Sequence, residues 1–164
     1  MHWKPSLAFL LVPGLCLTLS LPLLAQEPAA DAGIKAQLAA LDYQYEVDAD
    51  NDFKLVFEVG EEGRSQIVYI LSAVESYGAH KVREIWSPAY ESATGDFAAP
   101  IANRLLEASN SAKLGAWVKQ GRNAVFVVKI AADASKEALD DAIGAASGLA
   151  DEMEAELSPG KDDL

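Results

Sequence analysis

Asn123-Ala-Val-Phe-Val-Val-Lys-Ile130 is the stretch whose reading decides the fold. β-Branched and aromatic residues from Val125 to Val128 leave it apolar on both sides, the pattern of a strand interior to a sheet. Phe126 and Val128 face one side, Val125 and Val127 the other. Upstream, Leu114 to Val118 reads as its hairpin partner, joined around Gly121. Downstream, a helix is expected from Asp133 or Ser135. Its apolar stripe of Leu139, Ala142, Ile143, Ala146, Leu149, Ala150, Met153 and Leu157 covers one side of the strand. Gly144 and Gly148 lower the propensity of that helix, which predicts close packing against another element there. Glu152, Glu154 and Glu156 crowd its negative end, so its last turns are expected to fray before Ser158-Pro-Gly160.

Further towards the N-terminus, Ile101, Leu105 and Leu106 have helical spacing, with Pro100 near the helix start and Asn110 at its end. Between Ser72 and Gly95, Val82, Ile85 and Trp86 extend the sheet as far as Pro88, which is expected to stop any ladder. Gln66 to Leu71 reads as a strand covered on both faces. Tyr43 to Val47 and Phe53 to Val59 alternate with period two and form a hairpin around Asp48-Ala-Asp-Asn-Asp52. Gly60-Glu-Glu-Gly63 is the next turn. Ile34, Leu38 and Leu41 give a first helix with Asp31 as its N-cap. The predicted order is α-β-β-β-α-β-β-α, an α+β domain with a five-stranded antiparallel sheet packed with helices.

The first residues say where the chain works. Lys4 gives a positive start, an apolar run spans Leu7 to Leu24, and Ala25 precedes Gln26-Glu27. These are the parts of a secretory signal peptide, so cleavage near Ala25 and a periplasmic or secreted location are expected. Residues 26–33 read as a flexible lead, 34–157 as the domain, and 158–164 as a tail. Cys16, the single cysteine, lies in the leader, so the exported chain has no thiol nucleophile, disulfide or cysteine-bound metal. The net charge of −12 repels phosphate backbones and anionic lipid headgroups, which argues against nucleic acid as a partner. No stable membrane insertion is expected after cleavage.

Catalytic and metal signatures are weak. Asp48, Asp50 and Asp52 match the first positions of a calcium loop. Phe53 stands where the loop needs glycine and Val59 where it needs glutamate, so a solvated turn is the better reading. His80 stands without other histidines beyond the leader, and no Gly-x-Ser-x-Gly elbow marks a nucleophile. No cofactor, metal or catalytic residue is therefore assigned. The most suggestive segment is Val82 to Tyr90. There Trp86 and Tyr90 flank Pro88, either as an aromatic anchor for a partner or as rings covering the sheet edge.

The run Leu105-Leu106-Glu-Ala-Ser-Asn110 feeding into Lys113-Leu-Gly-Ala-Trp117, with the element order, resembles the YbjN family over about residues 34–157. That family shares the fold of type III secretion chaperones. The resemblance implies a helix-packed antiparallel sheet, often a homodimer, that binds protein or peptide segments without transforming a substrate. Unlike those chaperones, this chain begins with an export signal, and its Ser72–Gly95 stretch is longer. An exported non-enzymatic binding module is expected. The alternative is an apolar small-ligand or lipid carrier, with Tyr43, Phe53, Phe57 and Trp117 lining a pocket.

Overall fold

The computed structural model describes residues 29–59 and 64–160. The expected signal segment, the turn at 60–63 and the end of the tail lie outside the described residues.

Among the described residues three helices and seven strands follow in the order α1 (Ala32–Ala40), β1 (Glu46–Val47), β2 (Phe53–Val59), β3 (Arg64–Ile70), β4 (Glu75–Tyr77), β5 (His80–Glu91), α2 (Ala99–Ser111), β6 (Ala116–Gln120), β7 (Asn123–Ala131) and α3 (Lys136–Leu157). The strands form one sheet, β1-β2-β3-β5-β7-β6, with β4 added beside β5. Every pairing is antiparallel. The α+β class and the antiparallel sheet are as the sequence implies. The strand count is seven instead of five, and the order has two strands more.

Both additions, β4 and β5, lie in the Ser72–Gly95 stretch. The strand expected over Tyr43 to Val47 is shorter than its alternation implies, since only Glu46 and Val47 pair with β2. Tyr43 and Tyr45 instead lay their rings edge-on against Phe57 and Phe53. Their alternation belongs to extended chain turned onto the core. The Ser72–Gly95 stretch holds β4 and the longest strand of the sheet. Tyr77 pairs with His80 across a two-residue turn, and Gly78 takes φ +59, as the first position of a II′-type hairpin turn requires.

Pro88 does not end the ladder: it pairs with Val125 of β7. Its carbonyl accepts from Gln66 Nε2 of β3 at 2.7 Å, so the missing N–H also looks toward β3. On that side the regular β3–β5 pairs stop at Trp86. Side chains take over, with Ser87 Oγ donating to the Ile67 carbonyl at 2.6 Å and Gln66 Nε2 donating to Ser87 Oγ at 2.9 Å. A proline is tolerated in a central strand where no ladder bond is asked of it.

All three helices feed one core on one side of the sheet. Ile34 and Leu38 of α1, Leu105 of α2 and Leu139, Ala142, Ile143, Ala146 and Ala150 of α3 join Phe53, Leu55, Val68, Ile70, Ile85, Phe126 and Val128. Ser135 caps α3, accepting from the Ala138 amide. The acidic end of α3, expected to fray, is helical to Leu157. Arg104 of α2 grips Glu156 with two hydrogen bonds of 2.7 Å, and Arg64 of β3 pairs with Asp151. Gly144 and Gly148 face open space rather than a packed neighbour, which corrects the expectation of close packing. Asp31 to Gly33, read as flexible lead, belong to the start of α1.

No helix among the described residues is long and apolar enough to cross a membrane.

Candidate functional site

Alternation along β5 sorts the three aromatic-loop residues. Arg83, Ile85 and Ser87 are buried under the helices, while Glu84, Trp86 and Pro88 are half-buried on the opposite face. After Pro88 the register shifts, so that Tyr90 stands opposite Ala124, a fully buried core residue. Tyr90 therefore turns to the helix side, where its ring meets Phe97 edge-on at 5.8 Å. A bulge of this kind re-aims the side chains that follow it. Trp86 and Pro88 share a face; Tyr90 is core.

The face carrying Trp86 has no helix over it among the described residues. Its other members follow from the pairing. Trp86 stands beside Tyr69 of β3 and Val127 of β7. Ile67 stands beside Val56, and Val125 lies between Pro88 and Val118. An apolar stripe thus crosses β2, β3, β5, β7 and β6. Antiparallel sheets with one wet face ordinarily alternate apolar with polar, and the centre of this sheet departs from that. Val56 is 58% exposed, so the stripe reaches solvent at its β2 end. Glu46, Lys54, Glu58, Glu75, Glu84 and Lys129 are among the charged residues of this face.

Two of these charges fix the tryptophan. Trp86 Nε1 donates to Glu84 Oε2 at 2.8 Å, and Glu84 Oε1 pairs with Lys129 Nζ at 2.5 Å. Partial burial works against the Glu84 charge, but Lys129 and the indole N–H outweigh it and hold the carboxyl below its usual range. These two contacts hold the ring in one orientation.

Residues read as lining a ligand pocket do not converge. At the β2 end of the core Tyr43 pairs with Phe57, while Phe53 pairs with Tyr45 instead. Trp117 sits at the far edge, edge-on to Phe126 at 5.2 Å. There it helps line a groove of about 430 Å³ with Phe97, Ala102, Leu105 and Leu106. The sequence reading used Leu105 and Leu106 for helix spacing and missed their role in this groove, because only the tertiary fold sets α2 beside β6.

The aspartate cluster is a structured turn. Asp48 Oδ1 accepts the amides of Asp50 and Asp52 at 2.9 and 3.0 Å, and Asp52 accepts the Ser72 amide at 2.7 Å. Among the described residues no three His, Cys, Asp or Glu side chains gather as metal ligands. His80 is exposed at the β4–β5 turn, on a hollow of about 620 Å³ shared with Asp31, Lys81, Arg83 and Asp133. Arg83 is committed to the scaffold there, donating to the carbonyls of Leu71 and Ser72 and to Asp31.

Comparison with protein-family models, curated proteins and solved structures finds no match for this chain.

Proposed function

We propose that this chain is an exported, non-enzymatic binding module of YbjN-like type, engaging a protein or peptide through the uncovered face of its sheet. The observation that carries the reading is the apolar stripe from Val56 through Ile67, Tyr69 and Trp86 to Val127 and Val118. An apolar centre with charged residues around it is the usual anatomy of a protein contact surface. A clamped tryptophan is a usual energetic anchor. Export rests on the leader ahead of Gln26, and N-terminal sequencing of the mature protein from the cell envelope should begin there.

A photo-crosslinking amino acid placed at Trp86, and separately at Gly144 on the helix side, tests the face in living cells. Polypeptide adducts from position 86 and none from 144 are expected. Equal labelling from both positions, or none from 86 under several growth conditions, removes the proposal. Extractable lipid in the purified protein, with no adduct at 86, would put the apolar-ligand carrier in its place.

A further inference from the structure

We propose that the free edge of β6, with the groove beside it, takes an extended polypeptide segment as an added strand. That segment seats a large apolar side chain in the groove and sets a lysine or arginine against Asp96. Val118 alone belongs both to the groove and to the uncovered face; the other residues are separate from that face, so the inference stands apart from the preceding reading.

The main chain supplies the first argument. Gln120 and Asn123 close a two-residue turn, so they exchange ladder bonds, and alternate residues Lys119 and Trp117 turn their N–H and C=O away from β7. The Trp117 amide donates to Ser109 Oγ of α2 at 2.8 Å, which fixes the direction in which this edge looks. The Lys119 N–H and C=O point the same way and meet no backbone partner among the described residues. An edge with a free donor and acceptor two residues from a filled one is a short template for strand addition. An acyl chain has no groups to meet that donor and acceptor, whereas a polypeptide does.

The groove supplies the second argument. Phe97, Leu105, Leu106 and Trp117 line it, and Leu106 is 67% exposed in the absence of an occupant. Strand addition draws affinity from main-chain bonds and specificity from pockets for alternate side chains, and the groove lies where one such side chain would point. Charge selects the occupant further. The Asp96 side chain, 98% exposed, stands at the mouth of a chain with net charge −12, and its ion pair with Lys119 Nζ is a loose one at 3.9 Å. The Lys119 ammonium is drawn back to the Gly121 carbonyl at 2.6 Å and lies 5.7 Å from the centre of the Phe97 ring. A basic residue beside the apolar one therefore fits.

The probe is the peptide acetyl-Lys-Thr-Leu-Thr-Val-Thr-Leu-Lys-amide, compared with a copy N-methylated at alternate residues. At saturation the Lys119 amide should exchange with solvent about tenfold more slowly, as an amide newly held in a ladder does. The methylated copy should have no such effect. Lys119→Pro removes the outward N–H, and the reporter amide with it, without touching the β6–β7 bonds, and should weaken binding of the fluorescently labelled peptide at least about tenfold in an anisotropy titration. Leu106→Asp, at an exposed site, should do the same with the Lys119 amide still present as reporter. Equal binding of both peptides, no binding of either, or loss of binding in Trp86→Ala overturns the proposal. So does a concentration-dependent dimer broken by Leu106→Asp, which would assign the edge to a second copy.

Discussion

Asp31 Oδ2 lies 2.6 Å from Arg83 Nη2, while Oδ1 of the same carboxylate caps α1 through the amides of Gly33 and Ile34 at 2.8 and 3.0 Å. One side chain thus starts the first helix and neutralises a guanidinium that is 3% exposed. Asp31→Ala removes a cap worth about 1 kcal/mol and strands a buried charge, a change that costs about 3–5 kcal/mol in comparable pairs. Arg83 keeps two carbonyl partners, so the expected loss by chemical denaturation is near the lower end, about 3 kcal/mol. Asp31→Asn keeps the cap and should lose less.

The same pair sets an acid limit. Partial burial raises the Asp31 pKa, but the Ile34 amide, Arg83 and the Gly33 amide outweigh it and bring the group below its usual value. A depressed carboxyl contributes stability that is present above its unfolded pKa of about 4 and lost as pH falls through the lower folded value. Denaturation midpoints between pH 6 and 2 should fall more steeply in the wild type than in Asp31→Asn, which retains only the acid loss of other depressed carboxyls such as Glu84.

Asp52 carries the opposite sign. Burial, with Asp48 and Asp50 nearby, raises its pKa despite the Ser72 amide and Arg83. Its ionisation therefore opposes folding at neutral pH, and the opposition is relieved as acid protonates it. Asp52→Asn keeps an acceptor for the Ser72 amide. It should be neutral to stabilising by about 0.5 kcal/mol at pH 7, with the advantage vanishing below the carboxyl range.

Phe126 is fully buried against the Trp117 ring, whereas Trp86 lies half-buried on the uncovered face. Phe126→Ala should cost about 3–5 kcal/mol, a large part of the total of about 5–15 kcal/mol typical of a domain. Trp86→Ala should cost about 1 kcal/mol. Urea titrations of the two variants side by side decide the matter. Equal losses would make Trp86 a structural residue and leave the proposed binding face without its anchor.

Gly115 and Gly144 should respond to alanine in opposite directions. At Gly115, φ is +80 and an added Cβ would lie 2.5 Å from the Val127 carbonyl oxygen. That substitution should destabilise by at least about 2 kcal/mol. Gly144 sits in a helix interior with nothing within 4 Å of the added carbon, and alanine there should gain about 1 kcal/mol. Thermal melts of both single variants provide the check.

Tyr43 gives a spectroscopic handle on the α3 side of the core. Burial, with its 2.5 Å hydrogen bond to Asp140, pushes its phenol up to about 12. Ultraviolet titration should show one late tyrosine that disappears in Tyr43→Phe and moves earlier in Asp140→Asn. Because the folded pKa exceeds the unfolded one, the associated stability is present below about pH 10 and is lost as pH rises towards 12.

The sequence was most legible where one periodicity operated alone. β7 is doubly apolar and interior, between β5 and β6, and Asp31 caps the first helix, all as local pattern implies. It was least legible in β5, where Pro88 is a sound reason to end a strand unless its missing N–H faces a side with no ladder. That exception depends on Gln66, some twenty residues earlier, reaching across to the Pro88 carbonyl. The aromatic site shows the same limit. Trp86 and Tyr90 are four residues apart and would share a face in a regular strand, but the shift after Pro88 sends them to opposite sides. The Leu106 groove left no local trace, since each of its residues has an ordinary role in its own element.

The doubly apolar run of β7 bears on how the chain avoids trouble while folding. Val125 to Val128, β-branched and uncharged, is the kind of segment that seeds cross-β aggregation when it is left exposed. Its first partner, β6, is joined to it by a two-residue turn at Gly121, and hairpins of this kind close in about 1–10 μs. The long-range pairing with β5 must wait for a much larger loop to close. The hazardous strand is therefore half-sheltered almost as soon as the hairpin is free to form, with Lys129 as a charged gatekeeper at its end.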